Sequence, residues 1–281
     1  MTAGIIGLGL IGGSIAADLR KSGLAGTVLG SDKSEENAAE ALSIGLVDRI
    51  VPLDECVSGS EVIIVAVPVN AALNLLPSIL DAVKGTDKVV MDVCSVKGEL
   101  ARACEKHPAR GNLVLTHPMA GTEYSGPSAA MTGLFQGHSC IICDSHLSNP
   151  AALDLASKMY EALGMRIIHM DSESHDEHAA YVSHISHVIS FALALTVLDK
   201  EKDDSHIFDM ASGGFGSTAR LAKSGAAMWT PIFLQNRENV LRVMDTYLQK
   251  IGALRSAIDN CDAAALDSLI GEANRIKRIL K

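Results

Sequence analysis

Seven short apolar runs in the first 170 residues constrain this chain more than any other feature. They are AGIIG (3–7), TVLGS (27–31), EVIIVAVP (61–68), KVVMD (88–92), NLVLT (112–116), SCIIC (139–143) and MRIIHM (165–170). Most are Val/Ile-rich and continuous rather than alternating apolar with polar, the pattern of strands covered on both faces. Helical stretches lie between them, among them IGGSIAADLRKSG (11–23), SEENAAEALSIG (34–45) and VKGELARACEKH (96–107). Strand–helix alternation predicts parallel pairing with right-handed crossovers. After Asp171 no strand pattern remains. Residues 171–200 contain neither Gly nor Pro and read as one long helix capped by Asp171 or Ser172. Further helices are expected at about 217–224, 228–250 and 262–280, with a break at ASGGFG (211–216).

The expected fold class is therefore α/β. A Rossmann-type, mostly parallel sheet domain (1–171) precedes an all-α domain (172–281). The stretch VISFALALTVL (188–198) is nearly apolar all round. A helix of that kind must be covered on most sides, and about 110 residues of helical domain would struggle to cover it alone. A homodimer joined through the helical half is the expectation.

Bulk properties narrow the function. The chain has 281 residues, 48% of them hydrophobic but only 4% aromatic, so aliphatic side chains and alanine must fill the core. A net charge of −9 argues against a nucleic-acid surface. No unbroken apolar run approaches the roughly 18 residues of a membrane span. Met1 leads directly into AGIIG without a basic segment, which argues against a signal peptide and for a cytoplasmic location. The six cysteines are scattered, unlike a disulfide framework. Cys140 and Cys143 are spaced as C-x-x-C, but three residues apart on a strand they face opposite sides and read as core.

Residues 7–12 read GLGLIG, a G-x-G-x-x-G between a strand and a helix, with Asp32 at the end of the next strand. Gly7 permits the tight turn, Gly9 the approach of a pyrophosphate, and Gly12 close helix–strand packing. Leu8, Leu10 and Ile11 complete the loop and the start of the helix, whose N–H groups and dipole favour an anion. The Asp32 carboxylate would hold two ribose hydroxyls and repel a 2′-phosphate, which favours NAD over NADP; Lys33 beside it is the one counter-signal. Val67-Pro68 ends the third run, and Ser95 and His117 follow the ends of the next two. Ligands of doubly wound sheets sit at the carboxyl ends of strands. Ser95 and His117 are therefore expected to face each other where a nicotinamide lies.

GLGLIGGS, AVPV (66–69), DVCSVKG (92–98), HPMAGTEYSGP (117–127), SHISH (183–187) and SGGFGSTARLA (212–222) together resemble the prephenate/arogenate dehydrogenases of tyrosine biosynthesis, in order and over nearly the whole chain. The resemblance implies a Rossmann-type domain followed by a helical dimerisation domain. It implies NAD-dependent oxidation of a cyclohexadienol at ring C4, with loss of the C1 carboxylate driven by aromatisation. His117 would then accept the C4 hydroxyl proton, a task suited to a group that is largely neutral near pH 7. Ser95 would orient the imidazole or the substrate hydroxyl and touch the nicotinamide. Gly121, Thr122 and Glu123 would line or gate the pocket. Arg220 would fork a substrate carboxylate, and His187 is a candidate substrate contact.

His175, His178, His184 and His187 share one helix, but no carboxylate or cysteine is spaced to complete a metal set, and none is expected. Trp229, the only tryptophan, is expected in core or interface packing. Two positions depart from the family pattern: Gly216 stands where many relatives carry a lysine or arginine, leaving Lys223 or a partner residue for that role, and Ser186 replaces a common proline, which should straighten the helix. The ring chemistry is common to prephenate and arogenate, so these motifs do not separate the two substrates. A β-hydroxyacid dehydrogenase would need a catalytic lysine early in the long helix, which has none before Lys200. A non-catalytic NAD-binding redox sensor would not need Ser95, His117 and Arg220 together.

Overall fold

The computed structural model describes residues 1–202, 205–210 and 212–279. Eight strands form one sheet: β1 (Thr2–Ile6), β2 (Thr27–Ser31), β3 (Arg49–Ile50), β4 (Val62–Val65), β5 (Val89–Asp92), β6 (Leu113–Pro118), β7 (Ser139–Cys143) and β8 (Arg166–Met170). Their spatial order is β3-β2-β1-β4-β5-β6-β7-β8. Neighbours pair in parallel except β6 and β7, which run antiparallel. All seven expected strands are present. The extra one, β3, is two residues long and lacks an apolar run that would announce it.

Helices α1 (Leu10–Lys21), α2 (Glu35–Ser43), α3 (Leu53–Ser58), α4 (Val69–Val83), α5 (Gly98–Cys104) and α6 (Pro150–Ala162) connect the strands. Successive residues along a strand feed two different cores. In β4, Val62 and Ile64 join one apolar cluster while Ile63 and Val65 join the other. This double coverage is why the runs are continuous rather than alternating. Cys140 and Cys143 fall in opposite clusters, and burial pushes both thiols well above the usual range.

The strand order reverses direction between β1 and β4, leaving a crevice at their carboxyl ends. One step away, Asp92 of β5 is in register with Leu115 of β6. Ser95 and His117 thus leave the same edge of the sheet on neighbouring strands.

Lys97 and Asp92 fix that edge. Both side chains are fully buried and ion-paired. Lys97 Nζ also donates to the carbonyl of Thr116 at 2.5 Å, and Thr116 N donates to Asp92 Oδ1 at 3.2 Å. Burial is the largest influence and pushes the Lys97 ammonium towards neutrality, but the charge and hydrogen bond of Asp92 together with Cys94 and Cys143 outweigh it and raise its pKa. The tips of β5 and β6 are therefore joined by a charge pair as well as by their ladder.

Beyond β8 the chain is helical: α7 (Ser172–Ala179), α8 (Ile185–Glu201), α9 (Gly213–Ala219), α10 (Ala226–Gln235), α11 (Arg237–Asp259) and α12 (Ala263–Ala273). Asp171 caps α7, accepting from Ser174 N at 2.7 Å. Three details differ from expectation. The long helix is not uniform, because residues 180–184 form a π turn between α7 and α8; Ser186 itself lies in the regular α8. The segment expected at 228–250 is divided at Asn236. The glycine-rich break instead opens α9, with Ser212 as its extended first cap and Ser190 Oγ donating to the Thr218 carbonyl at 3.1 Å; Ala211 lies outside the described residues.

Residues 172–201 form one long helical stretch whose apolar character is not matched by burial within the described residues. By length and composition this helix could cross a membrane, and only 11% of its most apolar 18-residue window is buried within the chain. No unbroken apolar run of that length is present; the many Ile, Val and Leu residues outweigh the interspersed serines and histidines in the mean hydropathy. By packing, the chain forms two compact units, Met1–Asn236 and Arg237–Lys281.

Replacing Lys97 with methionine should cost about 3–5 kcal/mol of stability, since it leaves the Asp92 carboxylate buried without a counter-charge. Urea titration checks this. The double variant Lys97→Met/Asp92→Leu should recover part of the loss.

Candidate active site

The glycine loop is built as its spacing predicts. Gly7 has φ +95°, and a Cβ there would lie 2.4 Å from the Ala66 carbonyl oxygen. A Cβ on Gly12 would lie 2.0 Å from the Gly7 oxygen, so these two positions are closed to any side chain. Gly9 is different: a Cβ there would meet nothing within 4 Å. The fold does not need a glycine at position 9, but a ligand backbone lying against it would. Leu10, the first residue of α1, is buried and Ile11 half-buried.

Asp32 stands beside the loop. Its Oδ2 accepts from Leu8 N at 2.8 Å and its Oδ1 from Ser34 N at 2.8 Å. Each oxygen keeps a lone pair for a further donor, so the carboxylate fits a ribose diol while it shapes the loop. Lys33 is exposed. Val67 is half-buried, its carbonyl accepting from the Cys94 thiol, and Pro68 caps α4. The loop, the Asp32 carboxylate and the open space over Gly9 fit a dinucleotide.

His117 is 7% exposed at the end of β6. Burial, then the neighbouring His175, Lys97 and His184, hold its pKa well below the ordinary histidine value. Its Nδ1 is 2.8 Å from His175 Nε2. His175 Nδ1 is in turn 2.9 Å from Asp176 Oδ1. The same carboxylate accepts from Lys97 N at 2.7 Å and Gly98 N at 2.8 Å. Ser95, half-buried, lies two residues before this anchor. Sequence reasoning missed Asp176 and Lys97 and weighed His175 only as a metal ligand. The available signal was an acidic residue next to a histidine at a helix start, and a lysine set in the apolar frame DVCSVKG.

The loop after β6 meets the helical segment through one ion pair, Arg220 Nη1 to Glu123 Oε2 at 2.7 Å. Hydrogen bonding at Glu123's own backbone, then to Arg220, keeps its pKa below the usual value. Thr122 Oγ1 accepts from Tyr124 N at 3.3 Å, and Gly121 is exposed.

The four histidines of the long helix serve four ends. His175 joins His117, His178 meets the Ser174 carbonyl, His184 pairs with Asn236 Nδ2 at 3.1 Å, and His187 stacks on Trp229 with centroids 3.4 Å apart. Among the described residues no three His, Cys, Asp or Glu side chains form a metal-binding group. Trp229 is buried, and it packs on the very histidine expected to touch substrate.

The sequence matches the family described as "Prephenate dehydrogenase, nucleotide-binding domain" over residues 15–169, and "Prephenate dehydrogenase, dimerization domain" over 171–272. The chain belongs to the prephenate dehydrogenase family. A cyclohexadienyl dehydrogenase of Zymomonas mobilis is 31% identical over 99% of this chain and 95% of its own length. A Bacillus subtilis prephenate dehydrogenase is 29% identical over 93% of this chain and 71% of its own length. Among solved structures, the Aquifex aeolicus prephenate dehydrogenase in complex with hydroxyphenyl propionate and NAD+ superposes with TM-score 0.85 at 28% identity, covering 99% of this chain and 97% of that one. The family match opens at residue 15, so the assignment of Gly7–Gly12 rests on the loop geometry itself.

Two outcomes follow for this prephenate dehydrogenase family member. Gly12→Ala should lower both the melting temperature and NAD affinity, whereas Gly9→Ala should leave melting unchanged and weaken NAD alone; differential scanning fluorimetry with and without NAD separates them. Trp229 is also a built-in reporter. Burial lowers the His187 pKa, so quenching of indole fluorescence by imidazolium should set in only as pH falls below about 6.5. His187→Gln should remove that acid limb.

Proposed function

We propose that this protein is an NAD-dependent prephenate dehydrogenase. It oxidises the C4 carbinol of prephenate and releases the C1 carboxylate as carbon dioxide, giving 4-hydroxyphenylpyruvate. Bound NAD supplies the hydride acceptor. Gly7, Leu8, Gly9, Leu10, Ile11 and Gly12 would carry its pyrophosphate, Asp32 its adenosine ribose, and Val67, Pro68 and Ser95 would flank the nicotinamide end.

The observation that carries this reading is a buried histidine held neutral at the carboxyl edge of the sheet, with one ring nitrogen already committed to His175. The other nitrogen is left to take the hydroxyl proton as hydride departs. Burial lowers the basicity of His117 but keeps it unprotonated below pH 7, so the accepting form is present throughout the neutral range. Ser95 orients the hydroxyl. Arg220 and His187 bind substrate carboxylate and ring, with Gly121, Thr122 and Glu123 closing over them. Glu123 occupies Arg220 in the free chain, so a substrate carboxylate would compete with it for the guanidinium.

Arogenate is the second reading, favoured by Gly216, which offers no cation of its own, and by the 31% identity to a cyclohexadienyl dehydrogenase. Lys223 lies close enough to act electrostatically on Glu123 and is the replacement cation in this scheme. In the functional division, residues 1–171 bind the dinucleotide, and residues 172–281 bind substrate and form a homodimer in which a second copy covers the exposed apolar side of α8.

Mixing protein, NAD and prephenate should raise NADH absorbance at 340 nm, and arogenate and NADP in parallel rank the alternatives. His117→Asn should keep NAD affinity and lower kcat by about 10²–10⁴-fold. No turnover of either substrate by folded, NAD-binding protein refutes the assignment. Asp32→Ala should narrow the preference for NAD over NADP.

A further inference from the structure

The hydrogen bonds along His117–His175–Asp176 determine where the protons of these groups lie. A carboxylate only accepts, so the 2.9 Å contact of Asp176 Oδ1 requires a proton on His175 Nδ1. A neutral His175 then has a bare Nε2. The 2.8 Å contact from that atom to His117 Nδ1 needs one donor, which can only be the His117 Nδ1–H. A neutral His117 is left with its lone pair on Nε2. All three residues are buried, so water does not supply competing partners.

The same carboxylate does a second task. Its two oxygens take the N–H groups of Lys97 and Gly98, the start of α5 and the residues directly after Ser95-Val96. The segment that bears Ser95 and the ring that holds His117 are therefore anchored on one rigid group. Asn236 Nδ2 secures Asp176 from the other side, donating to its carbonyl at 2.7 Å.

We propose that His175 and Asp176 are positioning residues of the dehydrogenase reaction: they set the His117 tautomer so that Nε2 is the proton acceptor, and they hold the Ser95 segment in register with it. The inference rests on His117 being the base, as argued above. When Nε2 takes the substrate proton, the new imidazolium keeps its Nδ1–H bond to His175, whose Nδ1–H still points at the Asp176 carboxylate. No further proton needs to move, and the carboxylate at the end of the chain stabilises the positive charge.

The direct test is ¹⁵N NMR of histidine-labelled protein. In the wild type at neutral pH, His117 should show a protonated Nδ1 and a bare Nε2; the reverse pattern overturns the proposal without reference to activity. His175→Phe keeps the Asp176 anchor on Lys97 and Gly98 but removes the acceptor for His117. It should lower kcat by about 10²-fold or more while KM and NAD affinity stay within about twofold. The double variant His117→Asn/His175→Phe should be no slower than His117→Asn alone, because a residue acting only through His117 has nothing left to act on. A further additive loss would mean a general structural role and would overturn the proposal, as would a His175→Phe kcat near wild type. If His117→Asn itself retains normal turnover, the failure belongs to the assignment of the base and not to the relay.

Discussion

The buried pair of Lys97 and Asp92 is the constraint on which the active edge depends. A lysine with no exposed surface is costly unless its charge is met, and here one carboxylate and one backbone carbonyl meet it. The effect is to tie the strand that leads to Ser95 to the strand that leads to His117. Parallel neighbours alone would leave two loop tips free to move apart beyond the last ladder bond. The internal charge pair extends the fixed region past that point. The sequence neighbours of Lys97 then pass the restraint to Asp176 through two backbone N–H groups.

Burial acts alike on the two bases in this edge, but their neighbours give opposite outcomes. It would tend to neutralise both Lys97 and His117. For Lys97 the Asp92 carboxylate and the neighbouring cysteines together outweigh desolvation, and the ammonium persists as a structural cation. For His117 no carboxylate is in direct contact among the described residues; the His175 imidazole and that same ammonium add to desolvation. Asp176 stands one ring further off. This separation keeps the histidine neutral in the resting enzyme yet gives its protonated form a hydrogen-bonded route to negative charge.

Much of this was legible from residue order. Continuous apolar runs announced seven of the eight strands because coverage on both faces demands such runs, and the glycines of GLGLIG announced their turn because two of them admit no Cβ. The His117 loop drew attention by its histidine, glycines and hydroxyls at a strand end, although Met119 and Ala120 within it do pack against the two cores. Asp176 was not, because its role depends on α7 folding back onto the start of α5, 79 positions away from Lys97. Nor was the π turn at 180–184, for which the sequence offers no proline or glycine as a marker. The apolar side of α8 was expected to need a cover, and among the described residues most of its apolar window stays unburied.

The location of the relay bears on how the chain divides. The nucleotide-binding span ends near residue 169 by family likeness, yet His175 and Asp176, just past it, bond to His117 and to the α5 start. Compactness accordingly runs on to Asn236, whose side chain itself secures Asp176 and His184. A hinge at residue 171 would pull the second imidazole away from the first with every opening and release the tautomer it fixes. With His117 as the base we propose, the first helical turns after the sheet must move with the sheet. Freedom to admit substrate would then lie elsewhere in the unit, and opening the Glu123–Arg220 ion pair would break no buried hydrogen bond.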